Sequence, residues 1–361
     1  MIVEVERAEL GEVRVVEDPG VELGEDGARL RIDHFGLSSN NVTYGVYGDA
    51  MAYWAFFPAE GGWGRIPVWG FAEVVETGSP HLTVGERLFG YFPMGTELVI
   101  TAGAGSDQAV VDTAPHRAAM AKAYSRYARC GSDPLYRADR EREQLLLYPL
   151  FMTSFLIDDL LGDAGDFGAE QVVVSSASSK TAIGVAHCGR RRRVPTVGLT
   201  SAANLGFVED LAVYDEVRAY EDIDALATVP SAFVDIAGNA DVRLAVHRHL
   251  GDDLRYSMTV GNTHWDHETA VGAEPLPGPA PAFFFAPAQI AKRNDEWGRG
   301  ELDRRLAEAW HDYAGWAGGW LGFRDVRGAE AVTAVYRDLL AGRADPRTGF
   351  ICSLTPGATE G

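Results

Sequence analysis

From about Pro149 onward the chain alternates short apolar runs with helical patterns, and this alternation constrains the fold more than any other feature. GAEQVVVSSASSKTAIGVAHCG reads as a strand, a tight turn and a helix, and VPTVGLTS, YDEVRAY, SAFVDIAGN and LRYSMTVGN follow as further strands. Parallel neighbours need crossover connections, which the intervening helical segments supply. The expected class is therefore α/β, with a doubly wound parallel sheet.

Residues 1–115 read differently. Short strands at 28–35, 67–76, 86–91 and 97–100 are punctuated by glycine and proline, which predicts a compact all-β unit. At 361 residues two domains are the natural expectation, given roughly 100–200 residues per domain. GELDRRLAEAWHDYAGW is helical, with Leu302, Leu306 and Trp310 on one face. The closing stretch, GAEAVTAVYRDLLAGRADPRTGFICSL, reads as a helix, a turn and a strand that returns to an earlier sheet.

Charge and cysteine usage narrow the function. With 32 Lys and Arg against 52 Asp and Glu, the net charge of −20 repels phosphate backbones and anionic lipid, so neither nucleic acid nor a membrane is expected as a main partner. Cys130, Cys188 and Cys352 are far apart and form no CxxC pair, which argues against a disulfide framework and a structural zinc site. The N-terminus lacks the apolar core of a signal peptide, and no run approaches the roughly 18 apolar residues of a membrane span. A cytoplasmic enzyme or small-molecule binder is the expectation.

In a doubly wound sheet the first β-α turn is where a helix N-terminus meets a pyrophosphate. Here it runs from Ser176 to Gly184 with no glycine before Gly184. It offers instead the hydroxyls of Ser178, Ser179 and Thr181, and Lys180, one of three lysines in the chain. Two readings compete: these groups bind phosphate by side-chain hydrogen bonds and charge, or they merely cap the helix while Lys180 is solvated. After the next strand stand Thr200, Ser201 and Asn204, with no carboxylate until Glu209. Neutral donors there tolerate a 2′-phosphate, so NADP(H) is preferred to NAD(H). Arg190 to Arg193 precede that strand and read as a solvated basic patch at its far end. Gly238 and Asn239, Gly261 and Asn262, and Phe284 follow later strands and are candidates for the nicotinamide pocket. His264, Asp266 and His267 read as solvated polar surface rather than a metal cluster.

Several segments together resemble one superfamily. IPVWGFAEVVETGSPHLTVGERLFGYF is similar to the glycine-bearing strand and turn of the medium-chain dehydrogenase/reductases, GLSSNNVTYGVYGD to the segment lining their active site, and the closing helix and strand to theirs. The resemblance implies a GroES-like substrate domain over 1–148 and 328–361 and a Rossmann-like cofactor domain over 149–327. Zinc-dependent members carry a GHE motif, whereas this chain has Trp69-Gly70-Phe71-Ala72-Glu73, so no zinc is expected. The chain looks closer to a bacterial offshoot of the zinc-independent quinone and enoyl reductase branch, whose AxGGVG turn is replaced by Ala177-Ser178-Ser179-Lys180-Thr181. By resemblance Asn41, Tyr44 and Tyr47 line the site, with Tyr44 as the catalytic hydroxyl, and a homodimer is expected. Tyr53, Trp54, Phe56, Phe57 and Trp63 would form an apolar wall for a flat substrate. The expected activity is NADP(H)-linked reduction of an activated C=C or C=O of an apolar small molecule. The alternative is a non-catalytic or non-redox binder on the same scaffold with a degenerate dinucleotide site.

Overall fold

The computed structural model describes residues 1–17, 20–260 and 276–355. The chain divides into two units, Met1–Pro149 with Ala317–Gly361, and Leu150–Trp316.

In the first unit an eight-stranded sheet runs in the order Gly322–Arg327, Thr348–Ser353, Gly27–Leu37, Pro67–Thr77, Arg87–Pro93, Arg126–Arg129, Ala109–Asp112, Glu97–Ser106. It closes on itself because Glu97–Ser106 also pairs with Gly27–Leu37. Two register shifts between Gly27–Leu37 and Pro67–Thr77 bend the long strands enough for that closure. Along Pro67–Thr77 the side chains alternate: Val68, Ala72 and Val74 enter the core with Leu30, Leu88 and Phe92. Trp69 and Phe71 leave on the other face, where both rings contact Phe89.

The closing helix and strand return to this sheet as their sequence implies. Helix Ala329–Leu340 buries Val332, Val335, Tyr336 and Leu339, the i, i+3, i+4, i+7 face. The return begins at Ala317 rather than at 328, because Gly322–Arg327 is hydrogen-bonded in parallel to Thr348–Ser353.

The second unit carries six parallel strands in the order Glu216–Ala219, Thr196–Thr200, Gln171–Val174, Ser231–Asp235, Leu254–Thr259, Ala282–Phe283. Numbered along the chain this is 3-2-1-4-5-6, the Rossmann order. Successive residues face opposite cores. Val172, Val174, Ala232 and Val234 pack with Leu156, Ile157, Ala182 and Val185, while Val173, Val197, Leu199 and Phe233 pack with Ile223, Val242 and Val246. Both faces are covered, which is why these strands read as continuous apolar runs.

Two details differ from the sequence expectation. The helical stretch Ala138–Asp163 is long and apolar enough to cross a bilayer by composition. Its Leu156, Ile157 and Leu161 are nonetheless buried against the parallel sheet, so that part of its apolarity serves an internal contact. The arginine run is not simply solvated. The Arg192 side chain is only 11% exposed and forms ion pairs with Asp158 at 2.7 Å and with Asp166, and Arg191 reaches Asp312 at 3.4 Å.

Candidate functional site

Strand order reverses between Gln171–Val174 and Ser231–Asp235, and ligands of such sheets bind where the carboxyl ends of strands diverge. The turn leaving the first of these strands contains no glycine, yet it is sharp. Ser176 adopts φ +53°, the left-handed region that costs an ordinary residue roughly 1–2 kcal/mol, and Ser179 N–H closes onto Ser176 O at 2.7 Å.

Side chains from distant segments impose this shape. Ser176 N–H donates to the Tyr220 phenol oxygen at 3.0 Å. The Tyr214 hydroxyl donates to Ala177 O at 2.9 Å, and Asn204 Nδ2 donates to Ser178 Oγ at 3.2 Å. On the other side, Ser175 Oγ donates to Asp235 Oδ1 at 2.8 Å and accepts the N–H groups of Ile236 and Ala237. Asp235 Oδ1 also accepts Gly238 N–H at 3.1 Å, and Oδ2 lies 3.1 Å from Arg243 Nε. Ser175 and Asp235 are wholly buried, so this is a desolvated network in which each group depends on its partner.

Glycine appears where space demands it. A Cβ on Gly198 would stand 2.9 Å from Ala177 Cβ and from the Tyr214 ring, so its absence makes room beneath the turn. A Cβ on Gly184 would lie 2.5 Å from Ser154 Oγ, and Ser154 Oγ donates to Thr181 O at 2.8 Å. Gly184 thus allows helix Lys180–Gly189 to seat closely against the preceding helix.

The predicted cofactor residues divide by what the structure has them do. Ser179 caps helix Lys180–Gly189, its Oγ accepting Ala182 N–H at 3.2 Å. Asn239 caps Ala240–Leu250 by accepting the N–H groups of Asp241 and Val242. Phe284 is buried in the core with Val174 and Met258. Gly238 has φ +63° and turns the chain after Asp235. Ser178, Lys180 and Thr181 are half-buried on the turn and first helical residues, with Ser201 and Asn204 half-buried and Thr200 buried at the end of the neighbouring strand. Gly261 and Asn262 lie outside the described residues. As a donor set, neutral hydroxyls plus one ammonium at the start of a ten-residue helix suit a pyrophosphate.

In the first unit, helix Ser39–Val46 presents Asn40, Asn41 and Tyr44. The Asn41 amide is engaged at both ends, accepting Ser38 N–H at 2.8 Å and donating to Pro67 O at 3.0 Å, which fixes the helix to the adjacent strand. Tyr44 is buried with Tyr53, Phe56, Phe57 and Tyr91, and Tyr47, Trp69 and Tyr124 pack on that group. Two donors converge on the Tyr44 oxygen: Asn40 Nδ2 at 3.0 Å and Trp69 Nε1 at 3.4 Å. Burial pushes the Tyr44 phenol up to about 12, against the pull of those two hydrogen bonds, so at neutral pH it holds its proton. Beneath the rings lies a desolvated pair, Arg117 and Asp112, at 3.0 Å, with the guanidinium 4.9 Å from the Phe57 ring. Trp69-Gly70-Phe71-Ala72-Glu73 lies within strand Pro67–Thr77. Among the described residues no group of three or more His, Cys, Asp or Glu is placed to hold a metal.

Residues 35–345 match the model of the family described as "Protein of unknown function (DUF2855)". The chain belongs to that family. No curated protein matches the sequence. This DUF2855 chain is similar in structure to CurA from Vibrio vulnificus in complex with NADPH, with 13% identity, a TM-score of 0.56, and coverage of 96% of this chain and 95% of that one. It is similar to the Etr1p/NADP/crotonyl-CoA complex at 11% identity and TM-score 0.57, covering 98% and 100% of the two chains. A putative NADPH:quinone reductase from Mesorhizobium loti gives 12% and 0.57, with 92% and 88% covered. These likenesses establish the fold of the DUF2855 chain: a GroES-like β unit and a Rossmann-like unit.

Sequence reasoning missed the residues that brace the turn. YDEVRAY holds both tyrosines, Tyr214 and Tyr220, flanking strand Glu216–Ala219, but a strand-like run carries no sign that its end residues reach across to another loop.

Proposed function

We propose that this protein is an NADP(H)-linked oxidoreductase that reduces an activated C=C or C=O of an apolar small molecule. The observation that carries the reading is the braced, hydroxyl-rich turn at the switch point of a 3-2-1-4-5-6 sheet. Similarity to structures bound to NADPH and NADP supports it. Ser178, Lys180 and Thr181 would hold the pyrophosphate, and Thr200 and Ser201 would accept a 2′-phosphate without the repulsion a carboxylate would bring. Bound NADPH supplies the hydride. Tyr44 holds a proton at Oη for the oxygen or carbon that gains charge, and Asn40 and Trp69 stabilise the phenolate left behind. The aromatic rings around Tyr44 favour an uncharged, flat substrate.

Titration of the purified protein with NADPH and NADH, followed by nicotinamide fluorescence, tests this. Binding with preference for NADPH is expected; no binding of either at millimolar concentration refutes the reading in favour of a non-redox binder on the same scaffold. The observation on that rival's side is that the turn has no glycine before Gly184; the bond from Asn204 takes only a lone pair of Ser178 Oγ and leaves its O–H able to donate to a phosphate. With NADPH and a panel of enones and quinones, Tyr44→Phe should lower turnover by about 10²–10⁴-fold while leaving the affinity for NADPH unchanged.

A further inference from the structure

We infer that Tyr220 is a positioning residue of the cofactor site, its phenol oxygen holding Ser176 in the left-handed conformation that a glycine would otherwise provide. The inference rests on the NADP(H) reading above and goes beyond it in saying how a glycine-free turn keeps the shape a pyrophosphate needs.

Tyr220 directly follows strand Glu216–Ala219, and Ser176 lies just after Gln171–Val174; strand Thr196–Thr200 runs between those two. The phenol therefore reaches across the end of the intervening strand to accept Ser176 N–H at 3.0 Å. A serine at φ +53° is disfavoured by contact between its Cβ and the neighbouring carbonyl, and it stays there only where its surroundings over-determine it. Tyr220 supplies that constraint from one side. From the other, the Ser175 hydroxyl is tied to Asp235 and to two backbone N–H groups, so the residue before Ser176 cannot turn away. Tyr214 and Asn204 fix the two residues that follow, Ala177 and Ser178. Of these side-chain contacts, the one from Tyr220 acts on the left-handed residue itself, whose carbonyl also accepts Ser179 N–H. Its loss would let Ser176 relax toward negative φ and swing Ser178 and the start of helix Lys180–Gly189 out of register.

The test is NADPH affinity by fluorescence titration of the native protein, Tyr220→Phe, and Tyr220→Phe combined with Ser176→Gly. Phenylalanine keeps the ring and removes only the hydroxyl. Tyr220→Phe should bind NADPH about tenfold more weakly, as loss of one such hydrogen bond implies. Adding Ser176→Gly should recover most of that loss, because glycine needs no partner to remain left-handed. A residue that only packs would not be rescued this way. Should Tyr220→Phe fail to fold, Ser176→Val attacks the same feature, since a β-branched residue resists the left-handed region; it should weaken NADPH binding at least as much. Native-like affinity in Tyr220→Phe or Ser176→Val, or no recovery in the double variant, overturns the inference while leaving the cofactor reading intact. Failure of the native protein to bind NADPH overturns the cofactor reading and this inference with it.

Discussion

Removing the carboxylate of Asp235 should loosen the parallel sheet at its centre. Asp235 is wholly buried, and Arg243 opposite it is 14% exposed. Alanine at 235 would leave the guanidinium without its carboxylate and take the acceptor from the Ser175 hydroxyl and from Gly238 N–H. Breaking a buried pair in this way costs about 3–5 kcal/mol. Partial access of Arg243 to water favours the lower end, ~3 kcal/mol, or about two decades in an equilibrium constant. Asp235→Asn keeps an acceptor for Ser175 and Gly238 and loses only the charge, so ~1–2 kcal/mol is expected. Hydrogen exchange of the Ala232, Phe233 and Val234 amides reads the effect locally, free of two-state assumptions about a two-unit chain. Protection should fall about 100-fold in Asp235→Ala and about tenfold in Asp235→Asn, and Asp235→Ala with Arg243→Met should regain part of the loss. A change below about threefold in Asp235→Ala would show that the pair is hydrated and that the network is not what holds the turn.

Two further outcomes follow from packing and charge. Gly184→Ala gains about 1 kcal/mol of helix propensity but forces a methyl against Ser154 at a cost of about 1–3 kcal/mol; a lower urea midpoint for the second unit is expected, and an unchanged or higher one would mean the two helices separate without penalty. Glu141 concerns the acid limb: burial alone would raise its carboxyl, but hydrogen bonds from His34, Arg87 and Tyr136 overcome this and hold it at about 2 against an ordinary 4.5. The stability it contributes is complete above 4.5 and is lost as pH falls from there toward about 2. The gap in melting temperature between native protein and Glu141→Gln should therefore narrow from about pH 6 to about pH 3, and a constant gap would contradict the assignment.

The parts of the fold written as periodicity were legible in the chain. The apolar strands of the parallel sheet, the face of Ala329–Leu340 and the buried stripe of Leu302, Leu306 and Trp310 each follow from local spacing. Gly322–Arg327 was not legible, because only Val326 along it is buried and no alternation marks a strand. The candidate site was half legible. The turn could be located from its place after the first strand, but the groups that shape it stand 26, 37, 44 and 60 residues away, at Asn204, Tyr214, Tyr220 and Asp235. Such tertiary hydrogen bonds leave no local pattern. Arg192 misled for a similar reason, since a charge run looks solvated until Asp158 and Asp166 are seen beside it.

The return of the last strand to the first unit has a consequence for biosynthesis. Thr348–Ser353 lies between Gly322–Arg327 and the Phe35–Leu37 end of Gly27–Leu37, so although Glu97–Ser106 already closes the ring, this flank of the sheet is filled only once Ser353 has left the ribosome. The inserted unit is continuous in sequence and can close while translation proceeds. During that interval the Phe35–Leu37 end of strand Gly27–Leu37 waits unpaired on its outer edge, and Phe35 and Leu37 are the surface a chaperone would shield.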